Sequence, residues 1–440
     1  MVNGGADERL RGRLHRLACS LMLATLAMLT QPGRLISDTK IDLAMTPAAF
    51  LARAVELWDT AQFGQLQNQV AGYLFPMGPF YLLGSLAGLD GWVVQRLWMA
   101  LLLVAAFLGA ERLMARLGVG TPRTRLVGAL AYALAPRALT MVGVLSAEFQ
   151  PAALLPWILL PLVTAALGGN RVICCARSAF AVALCGGVNA AAVVAVLVVP
   201  GLYVLTRDRS ARRARILAWW VLGVVLATVW WTLPLLLFSR YGFSFLPYTE
   251  SAGTTTAVTS LPNVLRGTPD WVSWIYSGAG PSQPVGFELA TRPLLIVATC
   301  AVAALGLTGV LRSDLPERRF LALAVLAGTL IAVSGHISVL EPGFAGYLRD
   351  LLDGPLAPLR NLRKFDAVLR LPLAVGLAHL LATARPALAA RMGPVRLRPA
   401  LAGVALAGLA ATVVPAVTLG LAAGGRSARY RTTGGRPPSG

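Results

Sequence analysis

The sequence predicts an all-α fold: a polytopic transmembrane helical bundle of about ten spans with long extracytoplasmic loops. Three observations predict it. The 440 residues are 56% hydrophobic and only 13% charged, with a mean hydropathy of +0.68. A soluble domain carries about a quarter charged residues, so this chain lacks the charge to coat a water-facing surface. Apolar runs long enough for membrane helices recur along it. The basic residues between them fall in short clusters, such as Arg207, Arg209, Arg212, Arg213 and Arg215, as the positive-inside rule requires of inner loops. That clustering also excludes nucleic acid as the partner of the net charge of +20: the charge is spread over loops and forms no single patch.

Each element follows in order. Residues 1–16 are polar and basic, and Arg9, Arg11, Arg13 and Arg16 hold this N-terminus in the cytoplasm. Residues 17–30 form an uncleaved first helix that opens a multi-span domain over 17–423. Residues 32–90 form a first external segment, with a surface helix around 46–59 and an apolar stretch at 71–89. Spans follow at 92–117, 126–145, interrupted by Pro136-Arg137, and 151–168. The stretch 178–206 carries Gly186-Gly187-Val188-Asn189 at its middle. One straight helix would place the Arg207–Arg215 cluster outside, so the sequence predicts a hairpin turning at Gly186–Asn189. Further spans lie at 216–238, 293–311, 320–335, 371–383 and 399–423, with external loops at 239–291 and 336–370. The Gly/Pro-rich tail 424–440 reads as disordered.

This topology places 22 of the 39 Lys and Arg, but only 6 of the 19 Asp and Glu, at the inner face. The carboxylates collect outside, in three long loops, and long loops in a compact fold are usually functional. The expected location is therefore a bacterial inner membrane, multi-pass, with an extracytoplasmic active face. Arginine outnumbers lysine 37 to 2, the mark of a high-GC genome. The five cysteines form no C-x-x-C pair, and the three histidines lie far apart in sequence. Neither a disulfide framework nor a zinc site is indicated, and nucleotide-binding and hydrolase motifs are absent. No metal or other cofactor is assigned, although Asp38 and Asp42 are also able to hold a divalent cation.

Candidate site residues lie in the external segments. Asp38, Lys40 and Asp42 follow the first helix closely; if this piece is helical, the two carboxylates at i and i+4 share a face. Either can serve as a general base on a sugar hydroxyl, and Lys40 can meet a lipid phosphate as a point charge. The third loop carries Arg360-Asn361-Leu362-Arg363-Lys364-Phe365-Asp366, and an anionic ligand there would explain its donors. In the second loop Tyr248, Glu250, Thr254–Thr256, Trp271 and Trp274 suit contact with sugar rings. Arg137 within a span and Glu148 at a span end are ionisable groups at membrane depth, functional candidates by default.

Several of these segments together resemble a known family. They are Asp38-Thr39-Lys40-Ile41-Asp42-Leu43, Gln67-Asn68-Gln69 with Gly72–Phe80, Pro136-Arg137 with Ser146-Ala147-Glu148, Gly186–Asn189 and Asn361–Asp366. In this order they resemble the mycobacterial-type α-(1→3)-arabinofuranosyltransferases, GT-C class membrane glycosyltransferases, over roughly residues 17–383. The resemblance implies a lipid-linked sugar donor, decaprenyl-phosphate arabinofuranose, and an arabinan acceptor of cell-wall arabinogalactan or lipoarabinomannan. It implies inversion at the anomeric carbon, which needs one general base, Asp38 or Asp42. Lys40, Arg363 and Lys364 become candidates for the donor phosphate, and Arg137, Glu148, Asn189, Glu250 and Asp366 further site candidates. Family members continue far beyond this length, so the tail after Arg426 reads as a truncation or frameshift. Two alternatives stand beside this reading. One is a GT-C transferase for another polyprenyl-phosphate sugar, such as mannose. The other is a non-enzymatic transporter of lipid-linked precursors, which would favour internal repeats and midplane charges.

Overall fold

The computed structural model describes residues 3–422, apart from 39, 57, 60–64, 67–69, 243–247, 278–279, 339–342 and 385–396. Gln67–Gln69 and the tail 424–440 thus lie outside the described residues. Helix α1 (Asn3–Met28) leads through a loop to α2 (Ile41–Met45) and α3 (Pro47–Ala54), then to a short antiparallel ribbon of β1 (Trp58–Asp59) and β2 (Gln65–Leu66) and to α4 (Met77–Leu86). Helices α5 (Gly91–Arg116), α6 (Pro122–Ala133), α7 (Pro136–Met141) and α8 (Ser146–Ala166) follow. Next come α9 (Arg171–Ala183), α10 (Ala190–Leu205) and α11 (Ala211–Tyr241). The second long loop folds into α12 (Ala252–Thr256), α13 (Leu261–Arg266), a ribbon of β3 (Tyr276–Ser277) with β4 (Gly280–Pro281), and α14 (Pro284–Thr291). Helices α15 (Pro293–Leu311), α16 (Arg318–Val333), α17 (Ala345–Asp353), α18 (Asp366–Thr383) and α19 (Leu397–Leu419) complete the chain.

Six of these helices are long and apolar enough to cross a membrane: α5, α8, α11, α15, α18 with the turn before it, and α19. The other expected spans fall on α1, the broken α6–α7 pair, α9, α10 and α16, which are shorter or more polar. Pro136 breaks the 126–145 span because a proline interior to a helix removes a backbone donor and clashes with the preceding turn. Here it opens α7 at its first position.

Helix α18 is largely apolar on every face and buried along almost its whole length, as such a helix must be, and its buried Asp366 and Arg370 pair with each other. It packs against α6, α15 and α16, while α5 packs against α1, α6 and α8. The α15–α18 contact is backbone to backbone: a Cβ on Gly309 or Gly376 would overlap the facing helix's main chain. Small residues at such a seam let helices approach closely in lipid. Helix α8 contains Pro151, Pro156 and Pro161. Pro156 leaves the Ala152 carbonyl without its helical donor, and the buried Tyr132 hydroxyl donates to that carbonyl at 2.5 Å.

The predicted hairpin is present. α9 ends at Ala183, Gly186 takes φ +69°, and α10 starts at Ala190 under an Asn189 cap, whose Oδ1 accepts from the Ala192 N–H at 3.2 Å. Gly187 donates to the Gly72 carbonyl at 3.2 Å, and a side chain at either glycine would collide with its neighbours. Both feet of the hairpin return to one end. Arg212, after α10, donates to the carbonyls of Ala165 in the last turn of α8 and of Gly169 just beyond it, at 2.7 and 3.0 Å. Arg207 pairs with Glu317 in the basic Arg312–Arg319 loop. One end of the molecule thus gathers the basic loops, and the other gathers the hairpin tip and the acidic segments.

Candidate active site

Asp38 sits at the acidic end in the loop after α1. Two adjacent residues of α5 hold that loop. Arg96, fully buried, donates to the carbonyls of Thr30 (2.7 Å), Gln31 (3.2 Å) and Arg34 (2.8 Å). The Gln95 amide pairs both ways with Ile36, accepting at 3.1 Å and donating at 3.0 Å. The loop so fixed carries Asp38 into the core at 2% exposure. Its Oδ1 accepts the backbone N–H of Ser146, the first residue of α8. The first amides of a helix lack intrahelical acceptors and carry the positive end of its dipole, so this carboxylate caps α8 from far away in sequence. Its Oδ2 is buried without a hydrogen-bond partner among the described residues, as is the Tyr81 hydroxyl. Burial raises the Asp38 carboxyl to about 6, against the pull of the Ser146 N–H and of the Arg96 charge.

The helical pairing of Asp38 with Asp42 does not form. Asp38 lies in a turn and α2 begins at Ile41, so only Asp42 is helical. Lys40 precedes that helix and is exposed. Asp42, partly exposed, forms an ion pair with Arg53 of α3. Among the described residues no group of three or more His, Cys, Asp or Glu converges as a metal-ligand set.

A second cluster joins five segments on the way from α7 to α18. Arg137 of α7 pairs with Glu148 of α8 and, at 2.5 Å, with Asp270 of the second loop. Asp270 also takes Arg363, whose guanidinium lies 5.6 Å from the Trp271 ring centre. Asn189, besides capping α10, donates to Glu148 at 3.3 Å. Trp271 donates to Asn361 at 2.8 Å, and Asn361 donates to Glu250 at 2.6 Å. Lys364, Arg137, Glu148 and Asp366 line one small cavity beside this network. Asp366 binds Arg370 one turn on, at 2.7 Å, and Arg370 donates to the last carbonyls of α13, Val264 and Leu265.

The structure therefore separates the predicted residues by role. Arg137, Glu148, Asn189, Glu250, Arg363 and Lys364 come together; Asp38 stands apart at the first turn of α8; Lys40 and Asp42 lie toward the surface. The third-loop arginines are engaged within the protein: Arg363 by Asp270, and Arg360 by the Glu250 carbonyl and Asp353. Thr255 and Thr256 are buried and donate to backbone carbonyls, whereas Tyr248 and Trp274 are exposed. Sequence reasoning missed Asp270, the bridge of the cluster, and the Gln95–Arg96 pair. The signal for the pair was present: a polar dipeptide inside an apolar span is the same mark that singled out Arg137. Asp270 carries no such mark, since an aspartate in a loop is ordinary.

Comparison with known proteins agrees with this architecture. The family described as alpha-(1->3)-arabinofuranosyltransferase, N-terminal GT-C domain, matches residues 22–430, past the last of the motifs above. The alpha-(1->3)-arabinofuranosyltransferase of Mycolicibacterium smegmatis is 42% identical over 367 residues, covering 83% of this chain and 26% of the relative. That of Mycobacterium tuberculosis is 42% identical over 354 residues, covering 80% and 25%. The cryo-EM structure of arabinofuranosyltransferase AftD from mycobacteria superposes with a TM-score of 0.73 at 35% identity, over 93% of this chain and 27% of that one. The chain spans about a quarter of the length of these relatives. With a shared fold and a match over nearly its whole length, this membrane protein belongs to the alpha-(1->3)-arabinofuranosyltransferase family, as its N-terminal GT-C domain.

Proposed function

We propose that this domain transfers arabinofuranose from decaprenyl-phosphate arabinose to a cell-wall arabinan, at the extracytoplasmic face of the bacterial inner membrane. The observation that carries the reading is Asp38: a buried carboxylate with one oxygen fixed by a helix N-terminus, the other unpartnered, and an affinity for protons raised close to neutrality. A general base works best when its pKa lies near the operating pH. In the proposed step an acceptor hydroxyl oxygen attacks the anomeric carbon, Asp38 Oδ2 takes the hydroxyl proton, and the carbon–oxygen bond to the phosphate breaks with its electron pair on decaprenyl phosphate. One inverting displacement needs no enzyme nucleophile. Asp42, held by Arg53 near the surface, is assigned no proton transfer.

Lys364 is the better donor-phosphate residue of the third loop, because Arg363 is already engaged by Asp270 and serves to position its neighbour. Charge on the departing phosphate is stabilised by fixed cations that need no rearrangement during reaction. Lys40, exposed next to the Asp38 loop, is assigned to guiding the incoming phosphate. The outward placement of this end rests on the basic loops gathered at the opposite one.

A donor panel tests the reading. Membranes carrying the chain are given decaprenyl-phosphate arabinofuranose or a polyprenyl-phosphate mannose, with a synthetic arabinan acceptor. An α-(1→3)-linked arabinofuranosyl product with the anomeric configuration of the donor inverted is expected. Transfer of mannose in its place would assign the chain to another GT-C chemistry, and substrate counterflow without a covalent product would make it a transporter.

A further inference from the structure

A half-open cleft of about 630 Å³ runs along α8 between α5 and α9, clear of the charged cluster above. Its walls are almost wholly apolar, among them Phe80, Trp98, Leu154 and Phe180. From Gln150 to Thr164 it follows fifteen residues of α8, fourteen steps or roughly 21 Å at the helical rise. That exceeds one leaflet's share of the hydrocarbon core, about 15 Å.

The polarity of the cleft is one-sided. At the acidic end its polar lining residue is Gln150, whose amide already donates to the Leu184 carbonyl at 2.6 Å. Toward the basic-loop end one arginine lines it and two more touch its wall. Arg177 is exposed and is the one charged residue in the described lining. Arg116 donates to Thr164 at 3.2 Å, and Arg112 stacks 4.8 Å from the centre of the Trp157 ring; Thr164 and Trp157 are both cleft residues. An occupant whose anionic head entered from the acidic end would meet no cation in this lining. One entering from the basic-loop end meets Arg177 in the lining and Arg116 and Arg112 on the wall residues Thr164 and Trp157.

We propose that the cleft is a binding site for an anionic glycerophospholipid of the leaflet at the basic-loop end. Its acyl chain lies along α8, and its phosphate is held by Arg112, Arg116 and Arg177. Basic pockets between membrane helices on the inner side select anionic head groups in this way. Two arginines are already oriented, by a hydroxyl and a ring, with guanidinium N–H groups to spare. The inference stands independently of the transfer reaction, since no residue of the Asp38 or Asp270 clusters takes part.

The test uses the 440-residue chain reconstituted in phosphatidylcholine vesicles with and without phosphatidylglycerol. Bound phospholipid is read by native mass spectrometry and thermal stability in parallel. Phosphatidylglycerol should be retained over phosphatidylcholine by about tenfold and should alone raise the unfolding midpoint. The combined Arg112→Gln, Arg116→Gln and Arg177→Gln variant should lose the preference. Ala105→Trp, which fills the cleft and leaves the arginines in place, should lose both lipids while keeping its helical circular dichroism. Equal retention of the two lipids would overturn the proposal, as would a preference that survives the triple variant. Displacement of phosphatidylglycerol by decaprenyl phosphate would overturn it too, giving the cleft to a donor chain.

Discussion

Asp38 and Arg96 form one device, although they lie 58 positions apart in sequence. The arginine fixes the loop, the loop buries the aspartate, and burial raises the aspartate's pKa. The sign of the pH dependence follows. Burial disfavours the charged form, so the folded-state pKa, about 6, exceeds the ordinary 3.8. A carboxyl raised on folding is a stability cost once ionised: its contribution is most favourable below pH 4 and is lost as pH rises from 4 to 6. The difference amounts to about 3 kcal/mol. Asp38→Asn keeps an acceptor for the Ser146 N–H and never ionises. It should therefore melt above wild type at pH 7, with the gap closing toward pH 4, in thermal scans in detergent. Activity runs the other way: kcat/KM should fall tenfold per pH unit below about 6, where the base becomes protonated. Arg96→Met leaves three loop carbonyls without their donor, and each such loss costs about 1–3 kcal/mol. Arg96→Lys should rescue little, because one ammonium cannot match the fork of a guanidinium; unfolding midpoints of the two variants check this. Asp38 was legible in sequence from its place after the first helix. Its separation from Asp42 was not, because the start of α2 at Ile41, after Asp38, leaves no compositional mark.

Helices and loops are where most of the prediction was legible and where the exceptions have physical causes. The order of the spans, the α9–α10 hairpin and the break at Pro136 follow from apolar length, glycine and proline, whereas α8 and α18 begin at Ser146 and Asp366, ahead of the spans expected from 151 and 371. The packing that joins the second and third loops does not, because it depends on one loop aspartate meeting two arginines from distant segments. Removing a partner from a buried ion pair leaves an uncompensated charge and costs about 3–5 kcal/mol. Asp270→Asn should therefore destabilise the domain by that amount. It should also open the second and third loops together, seen as increased hydrogen exchange over 250–275 and 357–366. The α15–α18 seam is a second element-level test. Gly376→Leu should cost at least 1–3 kcal/mol by overpacking, whereas Gly403→Leu on α19, where a side chain would meet open space, should leave the unfolding midpoint unchanged.

Across the whole molecule, charge and depth are divided between two ends. The basic loops tie the feet of α8, α10 and α16 together, and the acidic end holds a buried carboxylate beside an interlocked pair of loops. That division was legible in the sequence as the skew of arginine against aspartate and glutamate, and the resemblance in motif order was carried by the same segments. The grouping of Arg137, Glu148 and Arg363 around Asp270 needed the fold, since no spacing rule connects residues so far apart. The central claim is that Asp38, and not Asp42, is the base of an inverting sugar transfer. The direct measurement is the rate of arabinofuranosyl transfer from decaprenyl-phosphate arabinofuranose by wild type, Asp38→Asn and Asp42→Asn, each shown folded by its melting curve. Loss of a general base costs about 10²–10⁴ in rate, so Asp38→Asn should fall by that factor while Asp42→Asn stays within about threefold. An Asp38→Asn enzyme as fast as wild type, or a collapse confined to Asp42→Asn, would contradict the account.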